Sequence, residues 1–257
     1  VIVEATKNHA GKDKKLNFKI ENFSKFKNKI HYIVVDDLPI NVKSTKKGWH
    51  ENHVRDQFQR NSIEKGYKEC DDEDLIMISD IDEIPDPKKI KEFIIKNKYA
   101  CFLQKNFQSK LNLLNTTNSS WPGTKICQKK YLKSPQWLRN VKDKKYSFFR
   151  LDTLFSEKKY INIKFINNGG WHFSNIKTAA EIEYKLKSYL HHREFDLNPI
   201  SESEIEDIIK NKQAIYDLKV DKKINKIGSG NKLIEHPLNK LPSYILENID
   251  KYKDWIE

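Results

Sequence analysis

The sequence predicts an α/β fold on a mostly parallel central sheet, and three observations carry that expectation. Apolar, β-branched runs of strand length alternate with helical periodicity; the first three runs end in acids; and the 257 residues are 37% hydrophobic, enough for a sizeable core. VIVEA (1–5) and KIHYIVVDD (29–37) read as buried strands with acidic ends, separated by a Lys-rich loop. Residues 49–66 keep helical spacing up to Gly66, and DLIMISD (74–80) is a third strand. Asp86 and Pro87 fit the N-cap and first position of a helix whose apolar face is Ile90, Phe93 and Ile94. Strands joined through helices run parallel, hence the expected sheet.

The second half is more mixed. YACFLQKNFQSKLNLLN and the stretch around TKICQKKYL read as long or meandering strands, SPQWLRN as a short helical turn, and IKFINNGGWHFS as strand-like. Thr178 with Glu181, and Ser201 with Glu204, form two capping boxes. The helices they open carry Ile182, Leu186, Tyr189 and Leu190, then Ile205, Ile208 and Ile209. A last amphipathic helix carries Ile245, Ile249, Tyr252 and Ile256. No repeat or linker breaks the chain, so residues 1–257 are expected to form one domain.

Composition narrows the function without choosing it. The net charge of +12 permits an anionic partner, but the lysines are scattered, as expected of a composition bias on a solvated surface. No nucleic-acid-binding signature is present, and no nucleic-acid partner is expected. The three cysteines form no CxxC pair, which argues against a disulfide framework and suits a reducing, cytoplasmic setting. No apolar run reaches the length of a transmembrane helix. The opening VIVEA already reads as a strand, so an upstream strand or anchor is expected to precede it.

The acids of VIVEA, IVVDD and IMISDID would gather at the carboxyl ends of parallel strands, where open α/β sheets bind ligands. Asp80 at a strand end and Asp82 two residues on could approach one hard cation. Mg²⁺ or Mn²⁺ takes one or two protein carboxylates and completes its shell with water and substrate phosphates. That describes a diphosphate site, although D-x-D alone also fits a solvated turn.

SDIDEIPDP, RDQFQRNSIEKGY, WPGTKI, GGWHFS and HHREFD occur in that order. In this the chain resembles glycosyltransferase family 17, related to β-1,4-mannosyl-glycoprotein 4-β-N-acetylglucosaminyltransferase, over nearly its whole length. The resemblance implies a GT-A-like nucleotide-diphospho-sugar transferase fold with C-terminal helices, a UDP-N-acetylglucosamine donor, a divalent metal, a glycan or glycoprotein acceptor, and inversion to a β-linkage. It also implies a further strand before VIVEA, which would complete the nucleotide pocket.

Asp82 is then expected to contact the metal, Asp80 the metal or the donor ribose, and Glu83 to support the turn. Arg60 either meets the diphosphate or pairs with a site carboxylate; Asp56, one helical turn earlier, is either its partner there or half of a surface ion pair. Glu4 either faces the nucleotide or is a solvated strand-end acid. In GGWHFS, Trp171 offers an apolar face for a sugar and His172 a metal-binding nitrogen, against the alternative of a core histidine. Glu194, in HHREFD, is the candidate general base, against a surface acid at a helix end. Clustered carboxylates also suit a metal-dependent phosphohydrolase or nuclease. The 29 aromatics suit a catalytically silent glycan- or nucleic-acid-binding module.

Overall fold

The computed structural model describes residues 1–39, 50–93, 97–147, 149–160, 163–188, 195–196, 198–216, 228 and 230–257. Strand β1 (Ile2–Ala5) pairs in parallel with β2 (Tyr32–Val35), Ile2 opposite Tyr32 and Ala5 opposite Val35, as a separate two-stranded sheet. Ala5, Val35 and Leu38 form its small buried core. Helix α1 (His50–Asn61) follows and tightens into a 3₁₀ turn (Ser62–Gly66).

The third strand, β3 (Leu75–Ile78), does not extend this pair. It runs antiparallel to β7 (Ser120–Gln128), Leu75 opposite Gln128 and Ile78 opposite Lys125. It thereby joins an eight-stranded sheet of order β10-β6-β5-β7-β3, centred on β5 (Tyr99–Gln108) with β6 (Leu113–Asn115) and β10 (Leu233–Glu235) at one side. Beside β5 lie β8 (Lys164–Ile166) and β9 (Gly170–Ser174), and β4 (Glu83–Pro85) pairs with β9.

The expected parallel central sheet, and with it the GT-A-like arrangement, is therefore corrected: the chain is mixed α and β on a mostly antiparallel sheet. Among the described residues only β8 and β9 meet β5 in parallel; its pairings with β6 and β7 are antiparallel. The reason lies in the connections. A short link after β5 turns the chain back into β6, and β7 continues in that reversed direction, so both lie antiparallel to β5, whereas parallel neighbours need a long crossover.

The caps come out as local chemistry dictates. Asp86 accepts from Lys88 N at 2.9 Å with Pro87 at N1, but the element is a short 3₁₀ helix (Pro87–Glu92), and the predicted Ile94 lies outside the described residues. Glu181 and Thr178 close one capping box over α3 (Ala179–Ser188), and Ser201 and Glu204 the other over α4 (Glu202–Lys210). The two helices bury Ile182, Leu186 and Ile205 against one another; Tyr189 and Leu190 lie outside the described residues. The predicted last helix is interrupted at Asn248 (φ −126°, ψ 35°), giving α5 (Ser243–Glu247), α6 (Ile249–Tyr252) and a 3₁₀ turn (Lys253–Trp255). Among the described residues no helix is long and apolar enough to cross a membrane.

Candidate functional site

The acidic stretch forms a tight turn between β3 and β4, closed by Glu83 N donating to Asp80 O (3.0 Å) and Asp80 N donating to Glu83 Oε2 (3.1 Å). The Glu83 side chain is fully buried and also accepts from Trp121 Nε1 and from both terminal nitrogens of Arg139, each at 2.9 Å. Arg139 extends the bridge to Asp80 Oδ2 at 2.9 Å and to the Gly123 carbonyl at 2.8 Å. Burial opposes its charge, but Asp80 and Glu83 outweigh that and raise its pKa. A buried carboxylate stripped of such a partner costs about 3–5 kcal/mol, so Glu83 holds the turn only together with Arg139.

Arg139 is itself held in place. It lies on α2 (Pro135–Asn140), capped by Ser134 Oγ accepting from Trp137 N, with Pro135 at N1. The buried ammonium of Lys125, reaching over from β7, donates to the carbonyls of Arg139 (2.6 Å) and Val141, closing the helix C-terminus. At this junction a Cβ on Gly123 would stand 1.7 Å from Gln104 Oε1, so any side chain there would have to displace the buried Gln104 amide.

On the other side, Arg60 of α1 donates to Asp80 Oδ1 (3.0 Å), to Asp56 (2.8 and 3.3 Å) and to Gln136 Oε1. Of the two readings of Arg60, the structure therefore gives the pairing with a site carboxylate. Its terminal donors are filled by protein oxygens. Asp56 belongs to this network and is not half of an isolated surface pair. Each oxygen of Asp80 meets an arginine, so its charge is balanced within the protein.

Asp82, two residues on, points elsewhere. Strand β9 lies between β4 and β5, setting His172 opposite both Glu83 and Asn106. Phe173 N donates to Asp82 O at 2.9 Å, and His172 Nε2 stands 3.5 Å from Asp82 Oδ2. Asn106 Nδ2 donates to Asn118 O (3.1 Å), which turns its Oδ1 toward His172 Nδ1 at 2.9 Å. Nδ1 must then carry a hydrogen, and Nε2 faces Asp82. A lone pair pointed at a carboxylate is repulsive, so a proton or a cation belongs between them. The imidazole is buried and stacked on Trp121, with centroids 4.3 Å apart and planes within 5°. Burial works against ionisation of Asp82, but His172 and the nearby Lys185 ammonium outweigh it and hold the carboxyl below its usual range. Lys185, on α3, is anchored to Asn175 Oδ1 at 2.8 Å.

The other expected residues lie apart. Successive strand residues face opposite ways, so Trp171 leaves the side that carries His172. It packs with Phe107, Leu241 and Ile245 and donates from Nε1 to Lys240 O at 2.9 Å. Glu4, at the end of β1, accepts hydrogen bonds from Lys14, Asn17, Phe18 and Tyr32, away from the acidic turn's own network. Glu194 lies outside the described residues. Sequence reasoning missed Asn106, Trp121, Arg139 and Lys185. Trp121 stood in plain view in WPGTKI, and Arg139 in SPQWLRN; Asn106 and Lys185 carried no local signal.

Among the described residues no three His, Cys, Asp or Glu side chains converge as a complete metal cage. Asp82 and His172 nevertheless fit a hard divalent ion that keeps waters and substrate oxygens in its shell. The imidazole is presented as metal-binding histidines usually are, one nitrogen held by an amide oxygen and the other turned to the second candidate ligand, Asp82. A cavity of about 610 Å³, lined by Leu103, Asp143, Ile163 and Phe165 among others, includes none of these residues in its walls.

No curated protein and no solved structure matches the chain. The family model of glycosyltransferase family 17 matches residues 1–256. With essentially the whole length matched, and the acidic turn, the WPGTKI strand and GGWHFS meeting around one cluster, the chain belongs to glycosyltransferase family 17 and is a glycosyltransferase, N-acetylglucosaminyltransferase-like in kind.

Proposed function

We propose that the chain transfers N-acetylglucosamine from UDP-N-acetylglucosamine to a glycan hydroxyl with inversion, at a site where Asp82 and His172 hold Mn²⁺ or Mg²⁺. The observation that carries the reading is the pairing of Asp82 with a histidine whose tautomer Asn106 fixes, leaving Nε2 3.5 Å from the carboxylate. A bound divalent cation would supply charge to the departing diphosphate. Asp80 has a positioning role: it joins Arg60 to Arg139 and so sets the turn from which Asp82 projects. Lys185 adds a second positive charge beside Asp82. The acceptor oxygen bonds to the anomeric carbon as the bond from that carbon to the diphosphate oxygen breaks, and the acceptor proton passes to a carboxylate. Glu194 is the candidate on its place in HHREFD. A two-metal phosphohydrolase would need more converging acids than the described residues provide.

Calorimetry of UDP with Mn²⁺ tests the site. Asp82→Asn should weaken metal-dependent UDP binding by about tenfold or more while leaving the melting temperature near that of wild type, and His172→Ala should weaken it comparably but also lower the melting temperature, because the buried ring leaves a gap beside Trp121 and Asn106 Oδ1 without a donor. Unchanged affinity in folded Asp82→Asn would remove the metal role. An assay with UDP-N-acetylglucosamine and a glycan panel should yield a β-linked product by NMR anomeric coupling. An α-linked product would overturn inversion, exclusive use of another nucleotide sugar would overturn the donor, and full turnover by Glu194→Gln would move the base elsewhere.

A further inference from the structure

Three residues beyond Arg139, past the end of α2, the chain enters a loop whose neck is closed by Lys142 N donating to Lys158 O at 2.7 Å. Its base is tied into the core: Trp137 Nε1 donates to Glu157 O at 3.0 Å, and Tyr160 packs on Tyr99 with centroids 4.6 Å apart. The tip is the opposite of a buried loop. Phe149, Leu151, Leu154 and Phe155 are 87%, 71%, 70% and 89% exposed, four large apolar side chains within seven residues. The tip is nonetheless ordered by its own hydrogen bonds, with Thr153 N and Oγ1 both donating to Arg150 O (3.1 and 2.7 Å) and Leu154 N donating to Leu151 O (3.1 Å).

Such exposure on a projecting turn is unfavourable in water and marks a contact surface. Three features favour a bilayer over a protein groove. Side chains this exposed stand out from the fold, so they can enter a soft apolar phase without a matching cavity. The backbone donors of Arg150, Thr153, Leu154 and Ser156 are satisfied within the turn, which lowers the cost of taking it out of water. The loop is also basic: residues 142–159 contain Lys142, Lys144, Lys145, Arg150, Lys158 and Lys159 against three acids. Two of the acids are paired, Asp152 with Arg150 and Lys159 (both 2.7 Å) and Glu157 with Lys133 from outside the loop (3.1 Å), and the loop's own count remains three positive charges in excess. A basic collar behind apolar side chains matches anionic headgroups above acyl chains.

We propose that residues 149–155 form a membrane-insertion element that docks the protein peripherally on an anionic lipid surface. This does not depend on the donor, the metal or the linkage assigned above. Because the loop departs from α2, docking would hold the Arg139 network, and the turn it supports, at a set place relative to the bilayer.

Co-sedimentation with vesicles of phosphatidylcholine alone, or mixed with phosphatidylglycerol, tests it on the full chain. Wild type should pellet with the mixed vesicles, bind pure phosphatidylcholine more weakly, and be released in part by high salt. Phe149→Ser combined with Phe155→Ser should lower partitioning at least about tenfold with an unchanged melting curve, since both rings already face solvent. Lys144→Glu with Lys145→Glu should weaken binding to mixed vesicles only. Wild type remaining in the supernatant with anionic vesicles overturns the proposal, as does a serine double variant that pellets like wild type. Light scattering showing a dimer that the serine variant dissolves, with no vesicle binding by either, would instead make the tip a contact between copies and equally overturn it.

Discussion

Five hydrogen bonds converge on the carboxylate of Glu4, from Lys14 Nζ, Asn17 N and Nδ2, Phe18 N and Tyr32 OH. Burial alone would raise its pKa, but these donors and the Lys14 charge lower it from 4.5 to about 2. A carboxyl depressed on folding contributes stability above its unfolded pKa and loses that contribution as pH falls through the folded value. The window therefore runs from about 4.5 down to about 2, and the contribution at neutral pH is up to about 3 kcal/mol. Glu4→Gln should accordingly lower stability to urea at pH 7, with the gap from wild type closing as pH drops toward 2. A constant gap across that range would mean the charge is not what holds residues 14–18 to β1. The same lesson applies to His172, whose chemistry is set by Asn106, 66 residues away in the chain. Nothing in GGWHFS states which ring nitrogen carries the hydrogen.

At the scale of elements, β9 decides the site. Its alternation sends His172 to the acidic turn and Trp171 to the C-terminal helices, so the two neighbours that look like one functional pair in sequence serve opposite faces. The glycines before them are explained by pairing. At Gly170 the backbone has φ +132°, and a Cβ would stand 2.1 Å from Ile84 O, across the β4–β9 ladder that brings Glu83 opposite His172. Gly170→Ala should therefore lower the melting temperature by several degrees, an effect of about 1–3 kcal/mol, and weaken metal-dependent UDP binding along with it. A variant that melts lower but binds normally would show that β4 and β9 can separate without disturbing Asp82, and one that melts like wild type would show that the Cβ is accommodated.

Among the described residues the two sheets share no strand pairing, and β5 is paired with β6, β7, β8 and β9. Hydrogen exchange followed by mass spectrometry should find the slowest amides in Tyr99–Gln108 and markedly faster exchange in Ile2–Ala5 and Tyr32–Val35. Equal protection would mean that both sheets open as one unit. The sequence by itself determined the helix caps at Asp86, Thr178 and Ser201, the positions of most strands, the acidic turn and the family. All of these depend on residues a few positions apart, or on motifs in a fixed order. Tertiary structure alone decided which strands meet and in which direction. It also decided that Arg139 rather than solvent neutralises Glu83, 56 residues distant, and that Trp121, not Trp171, stacks on His172. Strand pairing selects partners far apart in the chain by their mutual fit, and a hydrophobic run carries its period but not the identity or direction of its neighbour.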